Sequence, residues 1–132
     1  MFLFKNSIFM KKVLIILLLC IPLTTFADEV YFRSTSLAIK IEGVWSDWMD
    51  TSVKIKVTDD DKVIIYSDDP QIYRIIEEKD PPYDSKGKQI AYKVLDQDGD
   101  YGTLRFRQEN SGGLQLYIDF VNISWVYCIK RL

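Results

Sequence analysis

Three carboxylates stand at alternate positions in Asp96-Gln97-Asp98-Gly99-Asp100. That spacing can offer oxygen ligands to a hard cation such as Ca²⁺. The helix–loop–helix calcium pattern, however, needs glycine at its sixth position and a glutamate at its twelfth. Here Gly99 directly follows the second Asp, and Asp-Gly is the pair that tight hairpins prefer. A solubilising hairpin turn is therefore the expected reading. Asp96, Asp98 and Asp100 remain the candidate ligands for a metal ion.

Two tryptophans in Trp45-Ser46-Asp47-Trp48 can form a stacking platform for a carbohydrate, or plug the end of a strand layer. Trp45 is expected as a plug. Trp48, flanked by Asp47 and Asp50, is expected at the surface. Cys128 lies mid-strand between Tyr127 and Ile129. A reactive thiol needs a lowered pKa and usually a neighbouring imidazole, yet the chain has no histidine, so Cys128 reads as an inert wall residue. The lack of histidine also removes the commonest general base. Paired carboxylates could still serve a glycosidase, but every acidic cluster falls in a solvated turn. The expectation is a protein that is not an enzyme and carries no cofactor.

The first residues read as an address rather than as fold. Lys11-Lys12 precede the apolar run Val13–Leu19, extended by Cys20 and Ile21; Pro22 follows, and then Thr25-Phe26-Ala27. This is the layout of a secretory signal peptide cut after Ala27, with Met10 as a second possible start. Lipidation at Cys20 is the rival, but Leu19 before it is not the small residue such a cut wants. The expected destination is therefore the periplasm or the extracellular space. Residues 28–132 then form a single domain with 14 basic and 19 acidic residues, a net charge of about −5. That balance argues against nucleic acid, which is bound mainly by Lys and Arg on phosphates. Cys128 is the only cysteine of this domain, so the fold has no disulfide and must rely on its core. Fourteen aromatic residues make such a core feasible.

The elements that would position these residues are strands. Residues 30–42, 51–57, 62–66, 71–79, 89–95, 101–108, 114–120 and 123–132 show period-two alternation or dense β-branched and aromatic content. Thr58–Asp61, Ser67–Pro70, Asp96–Asp100 and Asn110–Gly113 are turn-forming in composition. Short connections make consecutive strands antiparallel neighbours. The expected fold is all-β: an eight-stranded antiparallel up-and-down meander closed into a small barrel, with an open curved sheet or two-sheet sandwich as alternative. Closure requires residues 123–132 to pair with residues 30–42. Bulky inward residues such as Leu104, Phe106, Leu116, Ile118 and Phe120 leave open whether the interior is hollow or packed.

In a meander, connections alternate between two ends. The connections at 43–50, 67–70, 96–100 and 121–122 then share one end. That end collects Asp47, Asp50, Asp68, Asp69 and the Asp96–Asp100 carboxylates beside Trp45 and Trp48. The expected ligand-binding residues are Trp45, Trp48, Asp47, Asp50, Asp68 and Asp69, an acidic rim over an aromatic floor.

The layout resembles the lipocalin-like (calycin) barrels, through Gly43-Val44-Trp45 near the first strand and through strand order. The resemblance implies that a basic residue of the last strand, Arg131, packs over Trp45. The phrases KVIIYS, PQIYRII and LQLYIDF…WVY are also similar to small exported proteins of Gram-negative bacteria whose function is uncharacterised. Together these imply an exported binding protein for a small molecule, acting as a monomer or weak dimer. The alternative is an envelope-associated interaction or inhibitor domain, for which a patch including Tyr31, Tyr73 and Tyr117 would be the mark.

Overall fold

The computed structural model describes residues 29–132; the signal peptide expected over residues 1–27 lies outside the described residues. Strand β1 (Val30–Ile41) carries Leu37, Ile39 and Ile41 on one face and Ala38 and Lys40 on the other, as its alternation demands. The chain then reverses at Glu42-Gly43, where both residues have positive φ (51° and 83°). Such a two-residue turn matches the twist of the strands it joins, and glycine takes the second position without steric cost.

The returning chain runs antiparallel to β1 in three pieces: β2 (Val44–Trp45), β3 (Met49–Asp50) and β4 (Lys54–Val57). Val44 stands opposite Ile41, Met49 opposite Leu37 and Lys54 opposite Arg33. The offset grows by one residue at each break, so one extra residue bulges out at each. The breaks remain hydrogen-bonded. Ser34 N donates to Val53 O at 2.9 Å, and Val53 N donates to Ser34 Oγ at 2.8 Å. Residues 43–50 are thus not the end connection that the composition suggested. They are the bulged half of a stave, which is why their alternation is broken.

From β4 the chain meanders through β5 (Lys62–Ile65), β6 (Gln71–Lys79), β7 (Gly87–Leu95), β8 (Tyr101–Glu109), β9 (Leu114–Asp119) and β10 (Ile123–Arg131). Each pairs antiparallel with the next. Strand β10 pairs back with β1 from Phe32–Arg131 to Ile41–Ile123. With β2, β3 and β4 counted as one stave, eight staves close a barrel, and closure removes the unpaired edges of an open sheet. Among the described residues no helix is long and apolar enough to cross a membrane.

The interior is filled. Phe32, Ile55, Val63, Ile65, Leu104, Phe106, Leu116 and Ile118 are fully buried. The Phe32 and Phe106 rings lie 5.9 Å apart in a tilted arrangement favoured by their quadrupoles. Tyr73 and Tyr92 are also buried, and burial raises both phenol pKa values well above the ordinary range. Tyr73 faces the core while Tyr31 and Tyr117 are half-buried on the outer side, so the three do not form the exposed patch considered above.

One expectation about the last strand is overturned. Arg131 stands opposite Phe32, whereas Trp45 stands opposite Lys40. Eight residues of strand separate the two places, about 26 Å. The base over Trp45 is Lys40, with Nζ 5.7 Å from the ring centroid. Arg131 instead donates from Nη1 to the carbonyl of Tyr31 at 3.5 Å.

Candidate functional site

Because β8 puts Leu104 and Phe106 inside, Arg105 and Arg107 must point outward. The register then builds rows across the outer face. Arg107 lies between Gln89 of β7 and Gln115 of β9; Arg105 lies beside Tyr117, which in turn faces Val126 of β10 and, beyond it, Ala38 of β1. These rows floor an open cleft of about 670 Å³ on the outside of the barrel. Trp45, Ser46 and Trp48 wall one side, and Pro82, Tyr83 and Asp84 of the β6–β7 loop wall another. The cleft lies within the size range of small-molecule sites.

The polar groups of this floor hold one another in place. Arg107 Nε donates to Asp84 Oδ2 at 2.5 Å, and its Nη1 donates to Gln115 Oε1 at 3.0 Å. Arg105 Nε donates to Asp119 Oδ2 at 3.1 Å and Nη1 to Gln89 Oε1 at 2.8 Å. The Arg105 guanidinium sits 4.2 Å from the Tyr117 ring centroid, and Tyr117 Oη donates to Gln115 Oε1 at 3.2 Å. Gln89 Nε2 reaches the Pro82 carbonyl at 3.3 Å, tying the loop to the sheet. Charge-assisted bonds of this kind are short and orienting, so the cleft is preorganised rather than assembled by its ligand.

The hydrogen bond from Arg107 holds the Asp84 carboxyl below the usual carboxylate range, assisted by Lys86 N, which donates to Asp84 Oδ1 at 2.9 Å. The same pair raises the Arg107 pKa. A depressed carboxyl stabilises the fold above the ordinary aspartate range and loses that contribution as pH falls through its own value. The Lys86 amide chemical shift should therefore titrate with a midpoint below the ordinary aspartate value in the native protein, and that midpoint should rise in Arg107→Met. Identical midpoints would mean that the ion pair does not hold the loop.

A second cavity, of about 570 Å³, opens at the barrel end formed by the Ser67–Pro70 and Asp96–Asp98 turns. Its rim carries Asp68, Asp69, Asp96 and Asp98, and it is also lined by Tyr73 and Trp125. Phe120 links these rings, stacked on Trp125 at 6.0 Å and tilted to Tyr73 at 6.2 Å. Gly102 makes the Phe120 position possible: a Cβ there would come within 2.8 Å of both the Asp119 carbonyl and the Phe120 ring. Tyr73 Oη donates to Gln71 Oε1 at 2.6 Å. The buried Trp125 Nε1 has no hydrogen-bond partner among the described residues.

The expected site residues thus separate into groups. Asp68 and Asp69 are at the barrel mouth, whereas Trp45 and Trp48 line the outer cleft. Both tryptophans are exposed, 43 % and 52 %, so Trp45 does not plug the barrel; Trp125 and Phe120 occupy that end. Asp47 and Asp50 are exposed on the same bulged stave as the tryptophans and line neither cavity. Asp96 Oδ1 accepts from Asp98 N at 2.9 Å and Asp100 N at 2.8 Å, the bonding of an Asx turn. Among the described residues no group of three or more acids and cysteines is placed to hold a metal ion.

The sequence does not single out Gln89, Arg105, Arg107 and Gln115, which read as ordinary outward residues of amphipathic strands, and it offers Tyr117 only as part of an interaction patch. Part of the signal was present in the Asn110–Gly113 turn. The hairpin closes one residue tighter, with Glu109 N donating to Gly113 O at 2.8 Å, and this sets Arg107 opposite Gln115 and Arg105 opposite Tyr117. No protein-family model, curated protein or solved structure matches this chain.

Proposed function

We propose that this chain is an exported, non-enzymatic binding protein of lipocalin-like architecture, akin to small exported proteins of Gram-negative bacteria, whose ligand sits outside the barrel. The carrying observation is the preorganised outer cleft, in which two exposed tryptophans face a hydrogen-bonded Arg-Gln-Tyr floor. The filled interior supports this placement, since bulky core side chains occupy the space a conventional barrel ligand would need. The ion pair with Arg107 keeps Asp84 ionised, so it is not the raised carboxyl that general acid catalysis uses.

A thermal-shift screen of a chemically diverse small-molecule library tests the reading. Compounds that stabilise the native protein should lose their shift in a Trp45→Ala/Trp48→Ala variant; shifts that are the same in both proteins would remove the cleft as the site. The rival, an interaction domain, is favoured by an exposed apolar lip: Ile41 faces Val44 and Ile123 in register, and Val121 is 94 % exposed nearby. In that case Ile41→Ser/Val44→Ser, not the tryptophan variant, would lose the partner.

A further inference from the structure

We infer that the outer cleft takes a neutral oligosaccharide, an inference that rests on the binding role proposed for the same cleft. Three features of its surface converge on that ligand class. The first is charge. Each arginine of the floor is already paired, Arg105 with Asp119 and Arg107 with Asp84 and more distantly with Glu109 at 3.5 Å. The Arg107–Asp84 pair is only 15 % exposed on each side. An anionic ligand would have to displace a carboxylate, and a cationic one would have to displace an arginine. Either exchange leaves a partly desolvated charge unpaired. A neutral ligand leaves both pairs intact.

The second feature is the hydrogen-bonding surface. Gln115 is held through its carbonyl oxygen by Arg107 and Tyr117, which orients its amide N–H₂ as a donor. Gln89, Arg107 and Gln115 follow one another across three strands at the strand spacing, about 4.8 Å. The result is a flat row of planar groups, fixed before any ligand arrives. Hydroxyl groups on a sugar ring, each both donor and acceptor, suit such a row. A purely apolar ligand would instead bury these groups without partners, at a cost for each. An extended peptide adds to a sheet edge through its backbone, but this row is made of side chains on a sheet face.

The third feature is the wall. Trp45 and Trp48 keep large indole surfaces in water. A sugar ring presents an apolar C–H face and a hydroxyl-bearing edge. Laid against the indoles, that face removes apolar area from water while its edge meets the amide row. The volume of about 670 Å³ accommodates a few rings rather than one.

Calorimetric titration with cellotetraose, chitotetraose and maltotetraose tests the class, with trigalacturonate and laurate as charged and apolar comparators. At least one neutral tetrasaccharide should bind with a Kd below ~1 mM. Its affinity should change less than twofold between 50 and 500 mM NaCl, since screening acts only on charges. Trp48→Ala and, independently, Gln115→Ala should each weaken it at least tenfold with the circular dichroism spectrum retained. Salt-sensitive binding of trigalacturonate, or binding of laurate, through Trp48 with no tetrasaccharide bound would overturn the sugar class and leave the cleft reading standing. Binding of no probe at the cleft overturns the class, and the library screen then decides the cleft itself. Tetrasaccharide binding insensitive to both substitutions overturns the site.

Discussion

Phe106→Ala should destabilise the barrel by about 3–5 kcal/mol, the usual cost of removing a large buried ring. Phe106 is 1 % exposed and faces Phe32 across the interior. Its neighbours sit on β-strands tied on both sides, so the barrel wall cannot collapse inward to fill the space. For a domain near 100 residues this corresponds to a fall of roughly 15–30 °C in Tm by thermal unfolding. It is also a large share of the 5–15 kcal/mol that holds typical domains folded. The same variant reports on the interior directly. A packed barrel becomes one with an apolar void, and benzene should restore part of the lost Tm, as small apolar molecules do in engineered cavities. A loss below about 1 kcal/mol would show instead that the interior is slack, and would return the ligand to the inside of the barrel.

Trp125→Ala should cost about 3 kcal/mol, at the lower end for a large aromatic residue because Trp125 is only partly buried. Its ring stacks on Phe120 beneath the acidic rim, so its loss opens the mouth onto the core. Trp125→Phe retains a stacking ring and drops the indole N–H, and should recover most of the stability by chemical denaturation. Neither substitution should change binding in the outer cleft, which Trp125 does not line. A variant that stays fully stable yet loses its ligand would move the site to the mouth and make Trp125 its contact residue.

These two rings lie on opposite sides of what composition and pattern can reveal. Period two told inside from outside for Phe106 without ambiguity, because its neighbours Arg105 and Arg107 are charged and a slip of one register would bury them. Trp125 was harder. It lies in a run apolar on both faces, where alternation carries no direction. Trp45, conspicuous through its spacing to Trp48, drew the role of plug, and the structure gives that role to Trp125 and leaves Trp48 at the surface as expected. The acidic rim was correctly gathered at one end for Asp68, Asp69, Asp96 and Asp98, since turn order in a meander alternates ends. It failed for Asp47 and Asp50 because residues 44–50 pair with β1 through one bulge, and a second follows before Lys54. A bulge breaks the pattern without ending the strand, and a broken pattern looks the same as a loop.

From the sequence alone follow the all-β class, the eight staves, the antiparallel order and the inward residues. All of these are local, set by side-chain period and turn chemistry. Closure between β1 and β10 was an expectation from economy of edges and became a fact only through their nine-residue register. The cleft belongs wholly to the tertiary structure. Its residues come from β1, the β2–β3 segment, the β6–β7 loop and four further strands, and the loop is held on the sheet by the hydrogen bond from Gln89 to Pro82 and by the Arg107–Asp84 ion pair. No local pattern records that contact, since 23 residues separate its two partners and either would be an ordinary surface charge by itself.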